Sequence, residues 1–335
     1  MKDGGFGLRS AVKHSSAAYL ASINGCERKI LATSKNISQT EQHIQHARNE
    51  CLQSYAKTNG SALERPLNLS NTQKDISTTI DQHVKHKLLF QASEKSKARI
   101  LSSSGSHGSA VLTAPLAKSS GFKLNNTEFQ FYISTRLGLK ICAKDSICTL
   151  KNCNKPLDSF GFHSATCKSG GCTVRRHDRV RDIIFDYCQS AAWSSQKEIQ
   201  PLPTSHLVPG DIFLESGGSH GNPLALDVTI VHPHSHNLVR HASVTLDWSN
   251  SKAEEKKNLK YLQLCKQDNV DFKPLSIEFY GRFSSNTSTF LFTLSKAVGN
   301  RSGRHHKSVY REIERRISIS IIKSNSSAHQ LRSAH

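Results

Sequence analysis

Three cysteines and one histidine constrain this chain more tightly than any other feature. Cys148-x4-Cys153-x9-His163-x3-Cys167 offers three thiolates and an imidazole, the ligand set of a closed structural Zn²⁺ site. Soft sulfur donors in a tetrahedron suit zinc. Ligands a few residues apart can be delivered by one tight turn, and Pro156 and Gly161 supply turn chemistry between the pairs. Cys142 and Cys172 are close enough in sequence to replace one member. The nine cysteines are an odd number, and six of them (142, 148, 153, 167, 172 and 188) crowd together while Cys26, Cys51 and Cys265 are scattered. That spacing fits a reduced compartment with a metal site better than a disulfide framework. The bland alternative is a set of buried free thiols packing as small hydrophobes.

The charge balance points to a polyanion. Lys plus Arg number 45 against 26 Asp plus Glu, a net +19 over 335 residues. Self-repulsion of that size opposes a compact state unless an anionic partner offsets it, and nucleic acid is the leading partner. A ribosome-associated or simply basic protein has the same composition. Hydrophobic residues make up 36% and aromatics 7%, which predicts one packed core beside at least one loosely ordered region. No apolar run approaches the ~20 residues of a membrane-crossing helix. The start, MKDGGFGLRS, lacks the apolar stretch of a secretory signal. The expectation is a protein that is neither secreted nor in a membrane.

Periodicity divides the chain. Residues 1–33 read as a helical remnant of an upstream region, with Leu8, Val12, Tyr19, Leu20 and Ile23 as an apolar stripe. Residues 34–97 read as a polar, weakly helical arm or linker, 98–141 as a helical segment stopping near Gly138, and 142–173 as the zinc knuckle. Residues 174–323 carry a folded core, and 324–335 a tail. In the core, Val180, Ile183, Ile184, Tyr187, Cys188 and Ala191 share a helix stripe. Arg175, Arg176, Arg179 and Arg181 lie mostly off it, and the first three are expected nucleic-acid contacts. KEIQPL, DIFLE and LALDVTIVHP read as strands, AEEKKNLKYLQLCKQ as a helix with Leu259, Leu262 and Leu264 on part of an apolar face, and DFKPLSIEFYG as a last strand. The closing helix aligns Val309, Ile313, Ile317 and Ile321.

Asp227 lies inside an otherwise apolar strand, where a lone carboxylate costs several kcal/mol unless it is paired, protonated or metal-bound. Asp211 opens the preceding strand after Pro209-Gly210. Together they form a candidate divalent-metal pair, because a cation relieves the repulsion between adjacent carboxylates. Glu198 is the candidate third ligand. Taken singly, Asp211 reads as a turn residue and Asp227 as half of a salt bridge. Lys256, Lys257 and Lys260 follow on the next helix, where a cation can hold a scissile phosphate; most such runs are solvated helix faces. His232, His234 and His236 read as a loop after the strand rather than a metal site. Arg301, Arg304, His305, His306 and Lys307 read as a basic turn.

A series of segments in order carries a resemblance. GGFGLRSAVKHSSAAYLAS, ARILSSSGSHGSAVL, STRLGLKI, C-x4-C…GFHSATC, RRHDRVRDIIF, VPGDIF, ALDVTIVHP, KNLKYLQLC, DFKPLSIEFYG and RISISIIKSN are similar to the C-terminal region of non-LTR retrotransposon polyproteins. There a reverse transcriptase precedes a zinc knuckle and a restriction-like endonuclease of the PD-(D/E)XK class. The resemblance covers most of the chain and is weaker over 34–95.

It implies an α+β fold: a restriction-endonuclease-like α-β-β-β-α-β core with an N-terminal helical region and a small zinc knuckle. It also implies a Mg²⁺-dependent DNA endonuclease, nuclear or cytoplasmic, acting on DNA and in company with the element's RNA. Asp211 and Asp227 would be the acidic pair holding Mg²⁺, with Glu198 as third ligand and Lys257 or Lys260 stabilising the transition state. Zn²⁺ would be held by Cys148, Cys153, His163 and Cys167. The sequence departs from the family pattern at Val208, Gly210 and Phe162, and Thr229 stands where the D-x-K lysine belongs. No paired-Asp polymerase motif is present, so the chain reads as a fragment, a decayed copy or a truncated gene model. The rival expectation is a nucleic-acid-binding remnant that keeps the knuckle but has lost catalysis.

Overall fold

The computed structural model describes residues 8–59, 73–115, 121–142, 147–197 and 208–333, together with Leu202, Thr204 and His206. It divides into two compact units, Gly7–Ala92 and a second that contains Ser93–His335.

In the first unit the polar stretch after residue 34 is more regular than its composition suggests. Helix α1 (Ala11–Thr33) packs against both α2 (Ile37–Asn59) and α3 (Gln73–Gln91). Their core is small: Ala17, Leu20, Cys51, Tyr55, Ile76 and Ile80. The expected stripe on α1 is misplaced. Leu8, Val12 and Tyr19 are exposed, and the buried positions are Ser16, Ala17 and Leu20. Small residues let α1 approach α2, where the Cys51 thiol donates to the Ser16 carbonyl at 3.0 Å.

The second unit is α+β, with four strands among many helices. Helices α4 (Glu94–Ser103), α5 (Gly105–Gly108) and α6 (Asn126–Leu137) come first. Asn125 and Glu128 form a reciprocal capping box at the start of α6, and Gly138, at φ 72°, ends it. A short helix α7 (Phe162–Thr166) precedes α8 (Cys172–Ser190). Then follow β1 (Ser195–Lys197), β2 (Ile212–Leu214), β3 (Leu224–Val231), α9 (Val239–Ala242), α10 (Trp248–Gln267) and β4 (Asp271–Glu278), closed by α11 (Ser285–Ser302) and α12 (His306–Ser333).

The four strands form one mixed sheet in the order β1-β2-β3-β4. The first two pairings are antiparallel and β3 runs parallel to β4 over its whole length, from Leu224 opposite Asp271 to Val231 opposite Glu278. A parallel neighbour requires a crossover connection, which α10 provides. Alternation along β3 then sorts its side chains. Leu224, Leu226 and Val228 enter the main core with Ile212, Leu214, Leu275 and Ile277, against Val180 and Ile184 of α8 and residues of α11 and α12. Ala225 joins Phe272, Tyr261 and Cys265 in a second core, against α10 on the other face.

Helix α12 carries the expected apolar row. Val309, Ile313, Ile317 and Ile321 are fully buried, each worth about 1.5–3 kcal/mol of burial. Three readings are corrected here. The stretch from 324, expected as a tail, continues α12 to Ser333 with Asn325, Ala328 and Arg332 buried. Leu259 is exposed, and α10 buries Tyr261 and Cys265 instead. Helix α11 was not foreseen, although Phe290, Leu291, Leu294 and Val298 give it a buried stripe.

Candidate functional site

The Cys/His segment expected as the knuckle is built by backbone turns that aim four donors inward. Cys148 N–H donates to the Lys155 carbonyl at 3.0 Å, and Ile147 bridges Pro156, closing the first turn around Cys153. The Asp158 carboxylate receives the N–H groups of Phe160, Phe162 and His163 at 3.0, 3.0 and 2.7 Å. It thereby organises the start of α7, which presents His163, with Cys167 one turn later at the helix end. Gly161 adopts φ 79°, a left-handed conformation that favours glycine, and a Cβ there would have to displace the tip of the Ile141 side chain.

The donor atoms of Cys148, Cys153, His163 and Cys167 all lie within 4.8 Å of one another. Cys153 Sγ is 3.2 Å from His163 Nε2 and 3.5 Å from Cys167 Sγ. Those separations approach the roughly 3.8 Å edge of a tetrahedron with Zn–S bonds of about 2.3 Å. These residues could hold a metal ion, and their chemistry is compatible with zinc. Cys142 donates to the Asp158 carbonyl at 3.3 Å, and Cys172 receives Arg175 and Arg332; neither joins the converging set.

The electrostatics assist a thiolate at one ligand. Burial pushes the Cys167 thiol up, but hydrogen bonds from Arg332 and Cys153 outweigh it and bring it down to about 7. Burial, with Arg332 nearby, holds His163 below its ordinary value, favouring the neutral imidazole that coordinates metals. Arg332 itself is fully buried at the end of α12, donating to the carbonyls of Cys167 and Ser169 at 3.2 and 2.8 Å. The knuckle is thus pinned to the last turn of the core's longest helix.

The acidic site lies at the sheet. The register that pairs Ile212 with Leu226 sets position 211 opposite position 227. Asp211 Oδ2 accepts the Val228 N–H at 2.7 Å, so its carboxylate continues the strand ladder. Asp227 is buried in β3 and accepts from Lys257 Nζ at 2.9 Å and from Thr229 Oγ1 at 3.1 Å. Burial raises the Asp227 pKa, Lys257 opposes that rise, and the charge of Asp211 adds to it. Thr229 therefore supports Asp227 from within the strand, while the cation comes from α10.

Lysine roles separate cleanly. Lys257 reaches Asp227, whereas exposed Lys260 donates to the Tyr261 hydroxyl at 2.7 Å. Glu198, the expected third carboxylate, lies outside the described residues.

A residue not singled out from sequence, His177 on α8, lies between two carboxylates. Its Nε2 is 3.0 Å from Asp211 Oδ2 and its Nδ1 3.1 Å from Asp178 Oδ1. The bond to Asp211 outweighs burial and, with help from Asp178, lifts the imidazole to about 9. It is an imidazolium at neutral pH, donating from both nitrogens. Asp211 and Asp227 therefore have separate protein cations, delivered by helices on the two faces of the sheet, rather than one common partner. Among the described residues the zinc-type cluster is the one place where three or more metal-binding side chains converge.

The expected nucleic-acid arginines diverge. Arg175 and Arg179 are exposed on α8, the latter donating to Ser324 Oγ at 3.1 Å. Arg176 is buried: it donates to the Ala165 carbonyl at 3.1 Å and to Asn325 Oδ1 at 2.8 Å, and lies over Phe279. It clamps the knuckle to α12 and is not a surface phosphate contact. His232 and His234 are buried too, among Phe162, Phe279 and Tyr280.

No helix among the described residues is long and apolar enough to cross a membrane. No protein-family model matches the chain, and no curated protein matches it.

Proposed function

We propose that this chain carries a metal-dependent nuclease site of the PD-(D/E)XK type beside a zinc knuckle, and that it cleaves phosphodiester bonds in DNA. The observation that carries this reading is the Lys257–Asp227 contact at 2.9 Å, with Asp211 opposite in register. A buried strand carboxylate, a second acid at the neighbouring strand's entrance and a helix-borne lysine are the three parts such a centre needs. A divalent cation held by Asp211 and Asp227 would supply a more acidic attacking water and neutralise charge on the phosphate. Lys257, anchored by Asp227 yet part-exposed, would turn its ammonium to the scissile phosphate. His177 would hold Asp211 in place and set its charge. The net +19 would draw the polyanion to the site.

Single-turnover cleavage of a labelled duplex in Mg²⁺ tests the role of Lys257. Lys257→Met should slow cleavage about 10²–10³-fold, the usual loss for one transition-state cation or donor, with duplex affinity within a few-fold of wild type. Equal rates would contradict the assignment.

One observation favours a binding remnant instead. Lys257 and His177 already neutralise the two carboxylates, as expected if the metal role has been lost. That reading predicts nucleic-acid binding without Mg²⁺-dependent cleavage.

A further inference from the structure

We infer that a cleft between the knuckle and the start of α4 binds one unstacked nucleobase of a single-stranded segment, with Phe160 as its stacking platform, His234 reading the base edge and Lys95 holding the adjoining phosphate. The inference rests on the nucleic-acid reading above and adds a site to it.

The cleft is shallow, with about 100 Å³ of water-accessible space, less than a drug-sized ligand site and suited to a single group at its mouth. Phe160 and Phe162, flanking the tight turn at Gly161, line it with rings 5.8 Å apart and 24° from parallel. Phe160 is 40% exposed, leaving apolar surface at the mouth for a base to cover. Lys95 is exposed on the first turn of α4, with its ammonium 5.1 Å above the Phe162 ring. Arg99, one turn further on, lies against Gly138, where a Cβ would come within 2.7 Å of its Nε. It donates to the Arg136 carbonyl, so its charge is fixed in the cleft wall.

His234 points to a ligand with polar edges. It lines the cleft, is only 8% exposed, and neither ring nitrogen meets a hydrogen-bonding side chain; the Lys95 backbone lies beside the ring and offsets part of its burial. Native proteins rarely leave buried polar atoms unpaired. Burial first, and then the charge of Arg99, hold the imidazole down at about 3, so the ring is neutral. A neutral ring has one donor and one acceptor, which complements the alternating donors and acceptors of a base edge. It is a poor partner for a bare anion, and no Cys or carboxylate converges with it as a metal set among the described residues. An aromatic platform, a neutral donor–acceptor pair and a rim cation together are the parts of a single-strand nucleotide site.

The test is fluorescence anisotropy of the full chain with a fluorescein-labelled mixed-sequence 15-nucleotide single strand and with the matching blunt duplex. Phe160→Ala and His234→Phe should each weaken single-strand binding, Phe160→Ala by about 5- to 150-fold, and leave duplex affinity within twofold. Lys95→Gln should lower the salt slope for the single strand by about 0.7, the contribution of one phosphate. Zinc content equal to wild type confirms that each variant is folded around the knuckle. If wild type binds the duplex but Phe160→Ala and His234→Phe bind the single strand like wild type, the cleft assignment is overturned and the nuclease reading stands. If wild type binds neither form, both fall.

Discussion

Lys257 of α10 reaches across to the β3 carboxylate of Asp227 and donates to it at 2.9 Å, with only 8% of the Asp227 side chain exposed. Removing one member of a buried pair leaves the other charge desolvated. Lys257→Met should therefore destabilise the second unit by about 1–3 kcal/mol, the cost of an orphaned buried polar group. Adding Asp227→Asn should recover most of that loss. Urea midpoints of the wild type, both single variants and the double variant measure the coupling, and strict additivity would show that the contact contributes nothing.

His177 gives a pH signature of opposite origin. Its folded pKa is raised to about 9 from the ordinary 6.5. A raised value means that the ionised ring stabilises the fold fully below about 6.5, and that this contribution fades as the pH climbs through 9. The wild type should be more stable than His177→Gln at pH 6, and the gap should close near pH 10. A gap that stays constant over this window would show that His177 is not held as an imidazolium by Asp211.

The knuckle should contain close to one zinc per chain. Cys167→Ser should lose it, because three remaining ligands cannot close a structural site, whereas Cys142→Ser and Cys172→Ser should keep it. Metal analysis of the purified variants decides this, and zinc retained at one per chain in Cys167→Ser would reassign the ligand set. Metal removal by a chelator should also loosen α7 and the end of α12, through Arg332, with faster amide exchange there.

Core substitutions should report on the fold itself. Ile313 and Leu226 are fully buried in the same cluster from α12 and β3. Truncation of either to Ala should cost about 2–5 kcal/mol, measured by chemical denaturation, and a cost below about 1 kcal/mol would show that the two do not share a packed core as described.

Parts of this architecture are legible in sequence because they rest on local spacing. The C-x4-C and H-x3-C spacings pick out the metal-type cluster, although Cys142 and Cys172 stay open as alternatives until the fold excludes them, and the α12 row follows from residues four apart. The order helix, three strands, helix, strand follows from period and punctuation. The N-terminal helices are less legible, since their contact surface uses Ser16 and Ala17 while larger apolar side chains remain outside. The roles of His177 and Arg176 depend on partners far along the chain, Asp211 at 34 residues and Asn325 at 149. Both occur in an Arg-rich stretch that reads as a run of nucleic-acid contacts off the buried stripe. Long-range pairing also decides which lysine matters: Lys257 and Lys260 are equivalent in the sequence, and only helix orientation separates them.

The central claim concerns chemistry at Asp227, and nicking of supercoiled plasmid by the full chain tests it most directly. With Mg²⁺ the wild type should convert supercoiled to open-circular DNA, and chelation of Mg²⁺ should stop it. Asp227→Asn should show no nicking while it keeps its zinc and binds the plasmid as wild type does, since metal retention and phosphate grip use different groups. Nicking by Asp227→Asn at the wild-type rate, or a zinc-loaded wild type that binds DNA but never cuts it in Mg²⁺, would contradict the nuclease account, and the latter result would leave the binding remnant in its place.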